Sequence, residues 1–415
     1  MTSPVTAADV ERAGGLLDGV ARATPLRPSP RLSEATGATV LLKREDLQPV
    51  RSYKLRGAYA LIASLTDAQR AAGVVCASAG NHAQGVAYAC RELGVTARVY
   101  LPRTTPRQKR ERVSALGGPS VEVVVGGDVY DDASAAADED AEATGAAIIP
   151  AFDAVQTMAG QGTIAPEIVA ELGAAPDVVV VPVGGGGLLG GVATWFAERH
   201  PGTRVVGVEP AGAASMTAAL AAGHPVPLAE MDGFVDGAAV RRVGDLTFAA
   251  TAASGCEVTT VPEGAICVEM LALYQTEGII AEPAGALASA ALTALDLPPG
   301  ATVAAVLSGG NNDVSRYADI VERALIHEGR KHYFLVEFPQ EPGALRRFLD
   351  TVLGPEDDIA YFEYVKRSNR ETGPALVGIE LGSPDDLPAL QARMDAARLT
   401  IQPIDPASPL FRFVG

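Results

Sequence analysis

Residues 178–197 read VVVVPVGGGGLLGGVATWFA and carry no charge. The stretch is as long as a bilayer-crossing helix, but Gly184, Gly185, Gly186, Gly187, Gly190 and Gly191 fall inside it. Glycine costs about 1 kcal/mol relative to alanine in a helix interior, so a lone transmembrane helix is a poor reading. A β-branched run, a glycine loop and an Ala- and Leu-rich run read instead as strand, turn and helix. A strand that is apolar at every position is buried on both faces, as in a parallel sheet. The stretch therefore sets the fold class as α/β.

The same alternation extends outward on both sides. Further strand candidates are residues 39–42, 74–77, 98–101, 121–125, 204–208 and 302–307. Helical patterns lie between them, for instance at 83–93 and 163–172. That order implies parallel strands joined by right-handed crossovers. The chain has 415 residues, 48% of them hydrophobic. At roughly 100–200 residues per domain it makes about two to four domains.

The texture changes after residue 325. Residues 331–338 (KHYFLVEF) read as a strand, and 342–352 as a helix opened by Pro and Gly. Two strands, 360–366 and 375–381, are joined by RSNRETG, and a helix over 387–397 precedes a last extended piece. This βαββαβ order is ferredoxin-like. HEGRKH at 327–332 reads as a linker, and DDASAAADEDAEA at 131–143 as a solvated helix face.

Asp and Glu number 50 against 33 Lys and Arg, a net charge of −17. That field repels phosphate backbones and anionic lipid, so neither nucleic acid nor membrane is expected as a partner. The start, MTSPVTAADVERAG, lacks the basic and apolar segments of a signal peptide, and a cytoplasmic location is expected. Cys76, Cys90, Cys256 and Cys267 show neither zinc-finger nor CxxC spacing and read as reduced core thiols.

Four small-residue loops occupy strand-to-helix junctions. In the first, RSYKLRGA at 51–58, Ser52 is placed to cap a helix over 53–65. Lys54 then falls in the first turn, where the helix dipole disfavours a cation. This hints that its amine is neutral or condensed with another group. The second loop offers the backbone of Ser78, Ala79, Gly80, Asn81 and His82 to a carboxylate or phosphate. His82 itself reads as a capping or structural residue ahead of a base. The third, Gly184, Gly185, Gly186, Gly187 and Leu188, lets backbone N–H groups wrap a phosphate. It matches neither GxxxxGK[ST] nor a clean GxGxxG. The fourth, SGGNN at 308–312, sets the Ser308 hydroxyl at the C-terminal end of a strand, where α/β proteins place ligands.

Together the four loops resemble the tryptophan-synthase-like, fold type II group of pyridoxal-phosphate enzymes, and within it the threonine dehydratases (threonine ammonia-lyases). SYKLRGA resembles the Schiff-base segment, SAGNHAQG the substrate and cofactor-ring loop, GGGGL the phosphate loop and SGGN the pyridine-nitrogen loop. GQGTIAPEI at 160–168, VEP at 208–210 and EPAGA at 282–286 add to the likeness, which spans residues 7–325. It implies two open, mostly parallel α/β sheet subdomains in a catalytic domain over 1–325, with 46–150 forming the smaller one.

Position by position, the resemblance makes Lys54 the lysine that holds pyridoxal 5'-phosphate. Asn81 would bond the cofactor's phenolic oxygen, the glycines and Leu188 its phosphate, and Ser308 its ring nitrogen. The backbone of residues 78–82 would receive the substrate carboxylate. Tyr53 stands where relatives often have Phe. The activity implied is loss of water and ammonia from L-threonine to give 2-oxobutanoate, opening isoleucine biosynthesis. A serine dehydratase or serine racemase of this fold, or an inactive amino-acid sensor, are the other readings. Serine racemases carry a serine where this chain has Ala79, and a methyl group cannot donate a proton. A neutral Ser308 hydroxyl, unlike a carboxylate, would leave the ring nitrogen largely unprotonated, which favours β-elimination over transamination.

FLVEFPQEPGALRRFL at 334–349 resembles the opening of an ACT-like regulatory domain, here over 326–415. The resemblance implies inhibition by isoleucine, opposed by valine. The turn at 339–343 would hold the effector carboxylate, and Leu345 and Phe348 its side chain. A single module leaves sheet edges to satisfy, so a homo-oligomer, dimer or tetramer, is expected. Glu209 lies where some relatives bind a metal, with Ala213 and Ser215 downstream. The usual second carboxylate is missing, and no metal is expected.

Overall fold

The structure is a computed structural model that describes residues 2–364, 371–397, 399–406, 408 and 411. Its strands in chain order begin with β1 (Leu26–Pro28), β2 (Thr39–Arg44), β3 (Val74–Ala77), β4 (Ala97–Leu101) and β5 (Val121–Val125). Then come β6 (Ala147–Ile148), β7 (Val178–Pro182), β8 (Arg204–Pro210), β9 (Glu257–Val261) and β10 (Thr302–Leu307). The last four are β11 (Lys331–Pro339), β12 (Asp358–Tyr364), β13 (Thr372–Glu380) and β14 (Thr400–Pro403). The chain divides into two units, residues 1–312 and 313–415.

The first unit holds two sheets. One has the order β1-β2-β10-β7-β8-β9 and is parallel except for β1, which runs antiparallel to β2. The other has the order β5-β4-β3-β6 and is parallel throughout. The chain leaves the first sheet after β2, builds the second from β3 to β6, and returns at β7. All five residues of β7 are buried. It lies between β10, with Val179 opposite Ala304, and β8, with Val180 opposite Val206. Helix Gly187–Arg199 follows and is buried from Gly187 through Phe196. The 178–197 stretch is thus a strand, a glycine turn and a buried helix. Among the described residues no helix is long and apolar enough to cross a membrane.

Each sheet organises its own core. Val179, Val181, Leu188 and Phe196 belong to one cluster, and Val74, Val86, Val99 and Leu101 to the other. Each such side chain contributes roughly 1.5–3 kcal/mol on burial. Cys76, Cys90 and Cys267 are buried and none of the four cysteines forms a disulfide.

Three strands escape a reading by pattern. β1 and β6 are too short to show a period, and β9, EVTTV, is polar and only partly buried. Ser52 is not the cap expected of it. Helix Lys54–Ser64 starts after Tyr53, which already has helical dihedrals (φ −64, ψ −17), so Ser52 lies one residue too early. Its backbone instead bridges Gly309, and its buried Oγ has no hydrogen-bond partner.

In the second unit, helix Tyr317–His327 precedes a four-stranded antiparallel sheet of order β12-β13-β11-β14. Helices Ala344–Val352 and Leu387–Ala396 complete the βαββαβ order. HEGRKH is not a free linker: His327 closes the helix and Lys331 opens β11. Residues 365–370, which include most of RSNRETG, lie outside the described residues. Phe348 is not available to an effector either. It is buried in the unit's core, with its ring edge-on to Phe338 at 5.2 Å, whereas Leu345 is exposed.

Candidate active site

Lys54 opens helix Lys54–Ser64, and the segment before it is pinned to the loop after β10. Arg51 accepts at its carbonyl from Gly310 N (2.9 Å), Ser52 bridges Gly309, and Tyr53 N donates to Ser308 O (3.1 Å). Arg51 is the one non-glycine residue with a left-handed backbone (φ 57) among those described, and it turns the chain into this pairing. On the other side, Gly85 lets helix Asn81–Leu93 approach. A Cβ there would sit 3.0 Å from the carbonyl of Lys54.

One pocket joins the four loops. Its wall includes Tyr53, Lys54, Asn81, Gly184, Glu282 and Ser308. Lys54 Nζ donates to Ala151 O at 3.0 Å and lies 5.3 Å from the centre of the Tyr53 ring. Burial pulls its amine down to about 8, against the opposing charge of Glu282. A neutral fraction therefore exists near physiological pH, as a nucleophile or base requires.

Asn81 is held at both ends. Its Nδ2 donates to Glu282 Oε1 at 2.5 Å, and its Oδ1 accepts from Asn311 Nδ2 at 2.8 Å. Burial, with the charge of Asp236 adding to it, pushes the Glu282 carboxyl up to about 7. Ser308 is buried and its Oγ donates to Ala284 O at 3.2 Å. This hydroxyl is neutral and has no carboxylate behind it in that bond.

Ser78, Ala79 and Gly80 form the partly buried turn between β3 and helix Asn81–Leu93, with Gly80 N donating to Ser78 Oγ at 3.2 Å. They and His82 are not on the pocket wall described above. His82 is buried, bonds Ile149 O through Nε2 at 2.7 Å, and is pulled down to about 4 by burial and by nearby Lys54. It is a neutral structural ring.

Gly184 is the glycine exposed to the pocket; Gly185, Gly186, Gly187 and Leu188 lie behind it and are buried. Gly186 takes φ 90, which a side chain would strain, and it starts helix Gly187–Arg199 without a side-chain cap. The first-turn N–H groups of that helix have no intrahelical partner and carry the positive end of its dipole, which suits an anion.

Glu282 is an ionisable pocket residue that the sequence did not single out. In EPAGA it precedes a proline at a helix start, where an acid is ordinary. Nothing local says that it faces Asn81, 201 residues away. Glu209 spends its oxygens on Met216 N, Thr217 N and Thr217 Oγ1. Among the described residues no cluster of three or more His, Cys, Asp or Glu could hold a metal.

The residues present fit pyridoxal phosphate: an amine for the aldehyde, an amide for the ring oxygen, a hydroxyl for the ring nitrogen and an uncapped helix start for the phosphate.

Residues 17–309 match the family model of pyridoxal-phosphate-dependent enzymes, and 322–414 that of the C-terminal regulatory domain of threonine dehydratase. The chain is 62% identical to the biosynthetic L-threonine dehydratase of Mycobacterium tuberculosis, over 99% of this chain and 96% of that one. It is 55% identical to that of Corynebacterium glutamicum, over 99% and 95%. The processed threonine deaminase isoform 2 of Solanum lycopersicum superposes with a TM-score of 0.73 at 40% identity, covering 76% of this chain and 92% of that one. The chain belongs to the pyridoxal-phosphate-dependent enzymes and, among them, to the biosynthetic threonine dehydratase family with its C-terminal regulatory domain.

Proposed function

We propose that this pocket removes water and ammonia from L-threonine to give 2-oxobutanoate. The observation that carries the reading is the meeting of Lys54, Asn81, Gly184 and Ser308 on one wall. Bound pyridoxal phosphate supplies the electron sink for the carbanion formed at the substrate's α-carbon. Lys54 would hold the cofactor through its amine, and the same amine would take the substrate's α-proton; its lowered basicity makes the neutral form available near neutral pH. Asn81 would bond the ring oxygen, and Gly184, Gly185, Gly186, Gly187 and Leu188 would hold the phosphate. Ser308 would meet the ring nitrogen without adding negative charge. The turn at Ser78, Ala79, Gly80, Asn81 and His82, which reaches the pocket wall at Asn81, would receive the substrate carboxylate through its N–H groups. An inactive sensor would have no use for an amine set in this way.

Residues 326–415 serve as the regulatory domain, with isoleucine as inhibitor and valine opposing it, in a cytoplasmic homo-oligomer. Support comes from the match to the regulatory family and from the ferredoxin-like sheet. The test is a 2-oxo acid assay with L-threonine and L-serine, with and without isoleucine. Threonine turnover that falls with isoleucine is expected, and a typical coupling of ~1–3 kcal/mol shifts apparent affinity about 5–150-fold. Removing residues 313–415, the whole second unit, should abolish the response while leaving the cofactor bound. Unchanged sensitivity after that removal overturns the regulatory reading alone.

A further inference from the structure

Asn81, Asn311 and Glu282 form a chain whose direction is set by a single backbone carbonyl. The two ends of an asparagine amide have nearly the same shape, so the side chain could sit either way round. The carbonyl of Val50 removes that freedom. It can only accept, and it lies 2.8 Å from Asn311, so Asn311 must present Nδ2 to it. The same Nδ2 lies 2.8 Å from Asn81 and can only donate there, so Asn81 must present Oδ1. That turns Asn81 Nδ2 toward Glu282 Oε1, which accepts one of its two hydrogens. The second hydrogen is left for the pocket that Asn81 and Glu282 both line.

We propose that Asn311 is a positioning residue: it fixes the Asn81 amide so that its nitrogen, and not its oxygen, meets the ring oxygen of the cofactor. The inference rests on the reading of Asn81 as the partner of that oxygen. In the reverse orientation two acceptors would face each other, with the cost of an unmade buried hydrogen bond. Asn311 touches neither substrate nor cofactor in this account and acts through Asn81. Glu282 completes the arrangement from the opposite end by taking the other Nδ2 hydrogen.

The test uses full-length protein carrying Asn81→Ala, Asn311→Ala, Asn311→Ser, or Asn81→Ala with Asn311→Ala. Three quantities are measured: the visible absorbance band of the bound cofactor, its dissociation constant by equilibrium dialysis with pyridoxal phosphate, and the melting temperature of the cofactor-free protein. Asn81→Ala is expected to displace the band and weaken binding. Asn311→Ala should displace the band in the same direction and weaken binding by about 2–10-fold, the net loss of one hydrogen bond. The double variant should match Asn81→Ala alone. Asn311→Ser keeps a donor and should fall between wild type and Asn311→Ala; it carries the comparison if Asn311→Ala does not fold. If Asn81→Ala leaves band and affinity unchanged, the reading of Asn81 fails, and the proposal with it. If Asn81→Ala moves both while the Asn311 variants move neither, or lower only the melting temperature, Asn311 is structural and the proposal alone is overturned.

Discussion

The backbone N–H of Tyr53 donates to the carbonyl oxygen of Ser308 at 3.1 Å. This bond ties the residue before Lys54 to Ser308, which lines the same pocket. Between them in sequence lies nearly all of the first unit, including the second sheet. The distance from the amine to the hydroxyl is therefore set by one short pairing of loops, reinforced by the Ser52–Gly309 bridge and by Gly310 N on Arg51 O.

Cofactor loading should depend on pH through Lys54. Burial lowers the amine to about 8, so its nucleophilic neutral form grows as pH rises through that value. The rate at which cofactor-free protein gains the visible band should increase over about one pH unit on either side and then level off. A rate that is flat across that window shows that the free amine is not buried as described.

The helix that carries Lys54 is anchored by a buried ion network. Arg56 donates through Nε and Nη2 to Glu45 (2.8 Å each) and through Nη1 to Glu167 (2.6 Å), and Lys43 Nζ also reaches Glu167 at 2.6 Å. Breaking such a pair leaves a buried charge uncompensated, at about 3–5 kcal/mol. Arg56→Ala should therefore lower stability in urea unfolding by that order. Burial alone would raise the Glu45 carboxyl, but Arg56 and then Lys43 hold it below its ordinary value. A depressed carboxyl stabilises above its unfolded pKa, and this contribution is lost as pH falls through the folded value. Taking away Arg56 removes the main cause of the depression. With that depression gone, Glu45 no longer costs stability as it takes up a proton, so the gap in stability between wild type and Arg56→Ala should narrow as pH falls. An unfolding midpoint that stays the same in both proteins at every pH rules the network out as an anchor.

L-Serine should be deaminated as well, more slowly than L-threonine. One methyl group offers only ~1–3 kcal/mol of discrimination in an apolar pocket. D-Serine should not accumulate, because Ala79, at the position the resemblance to serine racemases gives to a serine, has no proton to give. Chiral chromatography of the serine reaction decides this; D-serine forming as fast as pyruvate removes Ala79 as the discriminating residue.

The α/β class and the ferredoxin-like order could be read from the sequence because period and apolar runs are local properties. The Val178–Pro182 strand and the helix after it show this most clearly. The four loops could be read because small residues gather at each strand end: serine, glycine and asparagine in 78–82 and 308–312, four glycines at 184–187, and serine and glycine around Lys54. Partnerships across the chain could not. Glu282 meets Asn81 and Asn311 meets Val50 only after the two sheets fold, at separations of 201 and 261 residues. Ser52 shows the same limit in reverse: its local signal is that of a cap, but pairing with Gly309 takes its backbone and Tyr53 enters the helix first. Phe348 reads as a ligand contact because it is apolar and follows the 339–343 turn, yet helical spacing puts it on the core face against Phe338, while Leu345 is exposed.

The most direct test of the account is 2-oxobutanoate formation from L-threonine by wild-type protein and by Lys54→Ala, each supplied with pyridoxal phosphate and checked for folding by circular dichroism. The account predicts turnover with a visible cofactor band in the wild type, and loss of both in Lys54→Ala. A folded Lys54→Ala protein that forms 2-oxobutanoate at the wild-type rate would contradict it.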